Sequence, residues 1–309
     1  MPSWGVRTSP AVPLLATALL ACSLLAGCTQ SGGPLGTAPS SAPTLTTPSP
    51  APEPAPTPTP TATAGPSPTR STYASPVLWT VGASPLPLRP DGFGQVLPTP
   101  KVLRDRRLPT KDLLPPPSDG RFHSSISPIT TAIRRRMGDT YRSGCPVGPA
   151  QLRYLTLTFR GFDGRVHTGE LVVAARVANQ VAGIFRELFS QGFPLEEMRL
   201  PTTADVTAAP TGDGNDTAAF VCRAARGQTR FSAHAYGLAI DVNPFHNPYV
   251  KDDLVLPELA SAYRDRSWHR PGMFLRGSAA VAAFTRAGWT WGGDFRRPKD
   301  YQHFSLTGN

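Results

Sequence analysis

Residues 152–159, Leu-Arg-Tyr-Leu-Thr-Leu-Thr-Phe, alternate apolar and polar side chains with β-branched residues among them, the period of two expected of a strand. Phe162-Asp163-Gly164 supplies a turn, and 169–174, Gly-Glu-Leu-Val-Val-Ala, reads as a second strand. Between 177 and 191 the apolar positions Val177, Val181, Ile184, Phe185, Leu188 and Phe189 fall on one helical face, and Gly192 marks the stop. An earlier helix is predicted around 129–137, ended by Gly138, and a later one over 279–287. Short strands are expected at 198–200, 218–223, 237–242 and 302–306, with a Gly-, Asp- and Thr-rich loop at 208–216. Strand pairs with helices between them, but without regular alternation, predict an α+β fold with a small antiparallel sheet and flanking helices.

The N-terminal third has a different character. An apolar run from Ala11 to Gly27, after Arg7 and closing on small residues, reads as a secretion signal. Its end, Leu25-Ala26-Gly27-Cys28, is similar to a bacterial lipobox, in which Cys28 is acylated and becomes the mature N-terminus; a plain secretory peptide is the alternative. Residues 28–74 are dominated by Pro, Thr, Ser and Ala, with almost no charge, and cannot bury a core. At about 3.1 Å per residue in polyproline II, such a stalk reaches on the order of 100 Å. A glycosylated spacer has the same composition. Residues 75–119 remain proline-rich but gain apolar side chains, an extended lead-in expected to pack along the domain surface. From 120 to 309 the composition is that of one folded domain.

Cys22 lies inside the signal, so Cys145 and Cys222 remain beside Cys28. In an exported domain without C-x-x-C spacing a disulfide is the expectation, with two unpaired buried thiols as the alternative. The net charge of +10 sits almost wholly in the folded part, densest at 104–107, 134–136 and 296–297. A basic exterior favours anionic partners by long-range attraction. Nucleic acid would compete for such a surface, but no recognition module is visible and export argues against it.

The candidate chemistry lies in the ten residues from Ser232 to Asp241, Ser-Ala-His-Ala-Tyr-Gly-Leu-Ala-Ile-Asp, and in Asp300-Tyr-Gln-His303. Two imidazoles and one carboxylate leave a fourth position open on a tetrahedral zinc ion, the feature that separates a catalytic site from a structural one. A spare carboxylate beside that opening can act as general base. With Gly237 turning the chain, Ala239 and Asp241 share one strand face, and the small Ala239 leaves room for an ion.

These blocks, with Trp291-Gly-Gly-Asp294 between them, resemble the zinc-dependent D-alanyl-D-alanine carboxypeptidases and L-alanyl-D-glutamate endopeptidases that trim peptidoglycan stem peptides. The likeness extends upstream through 144–146, 152–155, 161–164, 167–171 and 220–223. It implies a hedgehog/DD-peptidase-like zinc peptidase core with one zinc ion held by His234, Asp241 and His303. It also implies Asp300 as the catalytic carboxylate and Arg223 as the cation that stabilises the developing oxyanion, although Arg226 and Arg230 compete for that place. Ser232 and Tyr236 are expected to order the ligand loop or line the substrate pocket, and Trp291 and Asp294 to form its wall; Trp289 is equally readable as core. His123, His167, His246 and His269 are not expected to be ligands. The resulting expectation is an exported, membrane-anchored, monomeric zinc metallopeptidase whose partners are stem peptides and the membrane. A non-catalytic wall-binding lipoprotein on the same scaffold is the alternative.

Overall fold

The 152–159 alternation opens the longest strand of the computed structural model, which describes residues 79–225 and 228–308. The signal, Cys22, Cys28, the whole proline-rich stalk at 28–74 and Arg226 lie outside the described residues. In chain order the strands are β1 (Ser124–Pro128), β2 (Leu152–Gly161), β3 (Val166–Ala174), β4 (Pro194–Leu195), β5 (Ala239–Asp241), β6 (Tyr249–Lys251), β7 (Leu254–Leu256), β8 (Thr290–Trp291), β9 (Lys299–Asp300) and β10 (His303–Ser305). The helices are α1 (Thr131–Met137), α2 (Ala178–Ser190), α3 (Thr203–Thr207) and α4 (Ala279–Thr285).

The strands form three small sheets, ordered β1-β2-β3, β5-β10-β8 and β7-β6-β9, and every pair in these orders is antiparallel. The short β4 adds a parallel pair at the end of β2. Mixed helix and antiparallel sheet is the class that the element pattern predicts.

α2 buries Val181, Ile184, Phe185 and Leu188, the i, i+3, i+4, i+7 set of one face, in a core shared with Leu155 and Leu157 of β2 and with Ile240 and Phe304 of β5 and β10. α4 joins the same core through Phe284, whose ring stacks on Phe304 with centroids 3.8 Å apart. α1 begins where the Thr130 hydroxyl accepts from Ile133 N–H, and it ends at Gly138, whose φ of 51° suits the glycine there.

Two of the expected strands do not form. Ala218 N–H donates to Asp241, Phe220 N–H to Val172 and Cys222 N–H to Thr140, so 218–223 meets three different neighbours and makes no continuous ladder. Met198 accepts from Glu170 N–H, but Arg199 N–H turns to the Asp216 carboxylate, so 198–200 is not a strand either. Regular alternation predicts extended backbone; which partners run alongside it is decided elsewhere in the chain.

The described part of the lead-in, from Trp79 onward, goes deeper than a surface strap. Leu103 and Leu108 join Phe245, Val255 and Tyr263 in a second core, and Trp79 Nε1 donates to Asp213. Arg106, read from the sequence as part of a basic exterior, is only 1% exposed and forms a bidentate pair with Glu196. Cys145 and Cys222 are disulfide-bonded with Cα atoms 5.8 Å apart, tying the segment before β2 to the residue preceding Arg223. Among the described residues no helix is long and apolar enough to cross a membrane.

Candidate metal centre

Ser232 opens a single 3₁₀ turn, Ala233–Tyr236, by accepting from His234 N–H at 3.4 Å. Gly237 closes it with φ 67°, and a Cβ there would come within 2.5 Å of Ala174 N. The position therefore needs glycine both for its backbone angle and for the close approach of β3. Leaving the turn, the chain runs straight into β5, so His234 and Asp241 are delivered by one short turn and one short strand.

β10 pairs with β5 in the register His303↔Asp241, Phe304↔Ile240, Ser305↔Ala239. Directly opposed residues of an antiparallel pair project to the same face. His303 thus stands beside Asp241, and its Nδ1 lies 2.9 Å from Asp241 Oδ1. His234 Nε2 completes the triangle, 3.2 Å from Asp241 Oδ2 and 3.3 Å from His303 Nδ1. Zinc bonds of about 2.0–2.2 Å at tetrahedral angles place neighbouring ligand atoms roughly 3.3–3.5 Å apart, so these separations are close to the edges of such a site.

The orientation of His234 is fixed from behind. Its Nδ1 lies 2.6 Å from the Ala219 carbonyl, which can only accept, so Nδ1 carries the proton and, on a neutral ring, Nε2 turns a lone pair into the triangle. With His234 neutral, Nε2 and Asp241 Oδ2 are two acceptors facing each other at 3.2 Å. A cation between them relieves that conflict. Without an ion between them the conflict is relieved by a proton: burial would raise the Asp241 carboxyl, but the charge and hydrogen bond that His234 offers once protonated, followed by those of His303, hold it well below the usual carboxylate range. Both histidines are buried and Asp241 is half-buried, and these three form the one group of metal-binding geometry among the described residues. The donor set fits zinc, two imidazoles and a carboxylate with the rest of the sphere left to solvent or substrate.

Residues 226–306 match the family model described as D-alanyl-D-alanine carboxypeptidase. The match spans all three candidate ligands and Asp300, and it supports the likeness to that family of zinc peptidases drawn from the motifs. No curated protein and no solved structure matches the chain.

The other expected site residues are placed as follows. Asp300 is half-buried at the end of β9, paired with Tyr249 of β6 and three residues before His303. Its backbone lies so close to Gly292 that a Cβ there would come within 2.4 Å of the Asp300 carbonyl oxygen, which accounts for the first glycine of Trp291-Gly-Gly-Asp294. Arg223 is half-buried, and its carbonyl accepts from Ser232 N–H at 3.1 Å, so it lies alongside the start of the ligand turn. Tyr236 is 38% exposed. Trp291 is buried, with its indole N–H on the Tyr301 carbonyl at 2.8 Å, and Asp294 forms an ion pair with Arg276. Trp289 belongs to the core, donating to Gln180 at 2.7 Å.

Sequence reasoning missed the Ala219 carbonyl, and had no signal for it, because a backbone oxygen is available from any residue type. Three of the four histidines not expected to be ligands have other partners. His246 is fully buried between Asn215 and the Arg106 carbonyl, and burial pushes it down to about 3, so it is neutral. His167 sits between Asp112 and Asp163, and His123 pairs with Asp119.

Proposed function

We propose that the protein is an exported, lipid-anchored zinc metallopeptidase that hydrolyses peptide bonds in peptidoglycan stem peptides, as a D-alanyl-D-alanine carboxypeptidase or an L-alanyl-D-glutamate endopeptidase. The convergence of His234 Nε2, Asp241 and His303 Nδ1 within 2.9–3.3 Å, inside a segment that matches a carboxypeptidase family model, carries this reading. A hedgehog/DD-peptidase-like core is part of the same proposal, resting on the β5-β10 pair that brings the ligands together.

His234, Asp241 and His303 would hold the zinc ion. Bound there, it would supply Lewis-acid polarisation of the scissile carbonyl and ready ionisation of a water near neutral pH. Asp300 takes the proton from the attacking water and returns it to the leaving amine. Arg223 stabilises negative charge developing on the carbonyl oxygen, a role supported by its backbone link to Ser232 at the start of the ligand turn. Ser232 holds the ligand turn, Tyr236 offers an accessible hydroxyl beside it, and Trp291 and Asp294 belong to the wall against which a peptide would lie.

In this reading Cys28 carries the lipid, the stalk extends through the wall, and the domain acts as a monomer without nucleic acid. Replacing Cys28 with alanine should release the protein from membranes while leaving hydrolysis of soluble peptides unchanged; a Cys28→Ala protein that still fractionates with membranes removes the anchor from the account. The peptidase reading itself is tested by digesting purified muropeptides and weighing the products.

A further inference from the structure

The segments 266–276, 291–293 and 299–301 enclose a cavity of about 360 Å³ whose charged lining is cationic. Arg266, Arg276 and Lys299 contribute to it together with His269, while none of its described lining residues is a carboxylate. Phe274, Leu275, Trp291 and Tyr301 supply the apolar walls. None of the three metal ligands borders it. Lys299 and Tyr301 flank Asp300 in sequence, but Asp300 is not among the lining residues.

Arg266 is the residue that needs explaining. Its terminal N–H groups donate to the carbonyls of His246, Tyr263 and Phe274 and to Asn247 Oδ1, and its guanidinium lies 4.5 Å over the Tyr301 ring. All of these partners are neutral, and among the described residues no carboxylate pairs with it. Its Nε is buried without an acceptor. As a brace between 246–247, 263 and 274 a neutral side chain would avoid the cost of a poorly solvated charge, and burial does push Arg266 down to about 10. Lys299 adds a second charge whose one partner among the described residues is the Gly293 carbonyl, at 3.2 Å. Arg276 adds a third, at the exposed rim, with Asp294 beside it.

We propose that this cavity binds an oxyanion carrying a small apolar group, a carboxylate or a phosphate, at a site separate from the metal centre. The anion accepts from the Lys299 ammonium, with the charge of Arg266, whose terminal N–H groups are already donated within the protein, attracting it from behind, and its apolar part packs between Phe274, Trp291 and Tyr301. The volume lies at the low end of small-ligand pockets, so the ligand is one chain end or one headgroup and not an extended polymer. Two sources share this chemistry, the carboxylate of a peptide and the phosphate of a wall polymer.

Calorimetric titration of the full protein, both zinc-loaded and after chelation, tests the proposal. The probes are N-acetyl-D-alanine against its amide, and glycerol 3-phosphate against glycerol. Each anion should bind and its neutral counterpart should not, with equal affinity in metal-loaded and chelated protein. Lys299→Gln should weaken binding about tenfold, the loss of one hydrogen bond to a charged group. Arg266→Gln should also weaken it, through the lost charge and not a lost bond; because that side chain is internal, Lys299→Gln and the rim variant Arg276→Gln keep the test decisive if Arg266→Gln misfolds. Tighter binding of the phosphate assigns the site to wall polymers, and tighter binding of the carboxylate assigns it to peptide ends. Absence of anion binding, binding that requires the metal, or equal binding by the parent protein and both Lys299→Gln and Arg276→Gln would overturn the proposal. Because the binding arms run without metal, their outcome is independent of whether the metal centre is a peptidase.

Discussion

His303 and Asp241 are directly opposed partners in the β10–β5 ladder, and the ring Nδ1 lies 2.9 Å from the carboxylate oxygen. Two ligands separated by 62 positions are thus brought together by strand pairing alone, and His234 joins them from the turn that feeds β5. Removing His234 leaves two protein ligands, so His234→Ala should purify with little zinc by elemental analysis while the circular dichroism of the fold is kept. Full metal occupancy in that variant would reject the ligand set.

Asp300→Ala should separate chemistry from metal binding. Asp300 is outside the ligand triangle, so zinc content should match the parent protein while hydrolysis falls by about 10²-fold or more, the contribution of a general base. Near-normal turnover with zinc present would hand the proton transfer to another group.

At Gly237 a methyl group has no room, with a φ of 67° and Ala174 N 2.5 Å from the would-be Cβ. Gly237→Ala should therefore destabilise the domain by roughly 1–3 kcal/mol and weaken zinc binding as well, because the strained turn is the one that carries His234. Thermal unfolding together with a zinc-competition titration measures both; an unchanged midpoint and an unchanged affinity would show that the turn tolerates the side chain.

His246 links stability to pH. Burial depresses its folded-state value to about 3 from an ordinary 6.5, so its contribution is fully present above pH 6.5 and is lost as pH falls toward 3, where the unfolded chain takes up a proton that the folded chain resists. The slope it adds is at most about 1.4 kcal/mol per pH unit in that window. Denaturant unfolding at several pH values should show this acid loss, and His246→Gln should flatten it; identical slopes in both proteins would remove His246 as the cause.

The Cys145–Cys222 bond closes a loop of 77 positions and should contribute roughly 2–4 kcal/mol. Alkylation of the unfolded, unreduced protein should find neither thiol free, and reduction should lower the unfolding midpoint. Labelling of both thiols without reductant would contradict the bond.

Much of this centre was legible in the sequence because its ligands lie in short motifs whose spacing mirrors local structure. Period two puts Ala239 and Asp241 on one face, and Gly237 marks the turn before them. The helix at 178–190 was legible from its one-sided apolar face and Gly192, and the one at 131–137 had its end marked by Gly138. The failures share one physical origin, partners that only tertiary structure supplies. Residues 218–223 are extended but bond to three separate neighbours, and the Ala219 carbonyl that orients His234 has no side-chain signature. Arg106 sits in a run of charges that looks solvated, yet Glu196, 90 positions away, draws it into the interior. Arg266 and Lys299 likewise share a cavity only because the chain between them folds back.

Digestion of purified muropeptides by the zinc-loaded protein, the chelated protein and the Asp300→Ala variant, followed by mass spectrometry, tests the central claim most directly. The account predicts loss of a terminal D-alanine, or cleavage at the L-alanyl-D-glutamate bond, in the zinc-loaded sample alone, with activity returning when zinc is restored after chelation. Intact muropeptides in the zinc-loaded sample, or equal cleavage in all three, would contradict it.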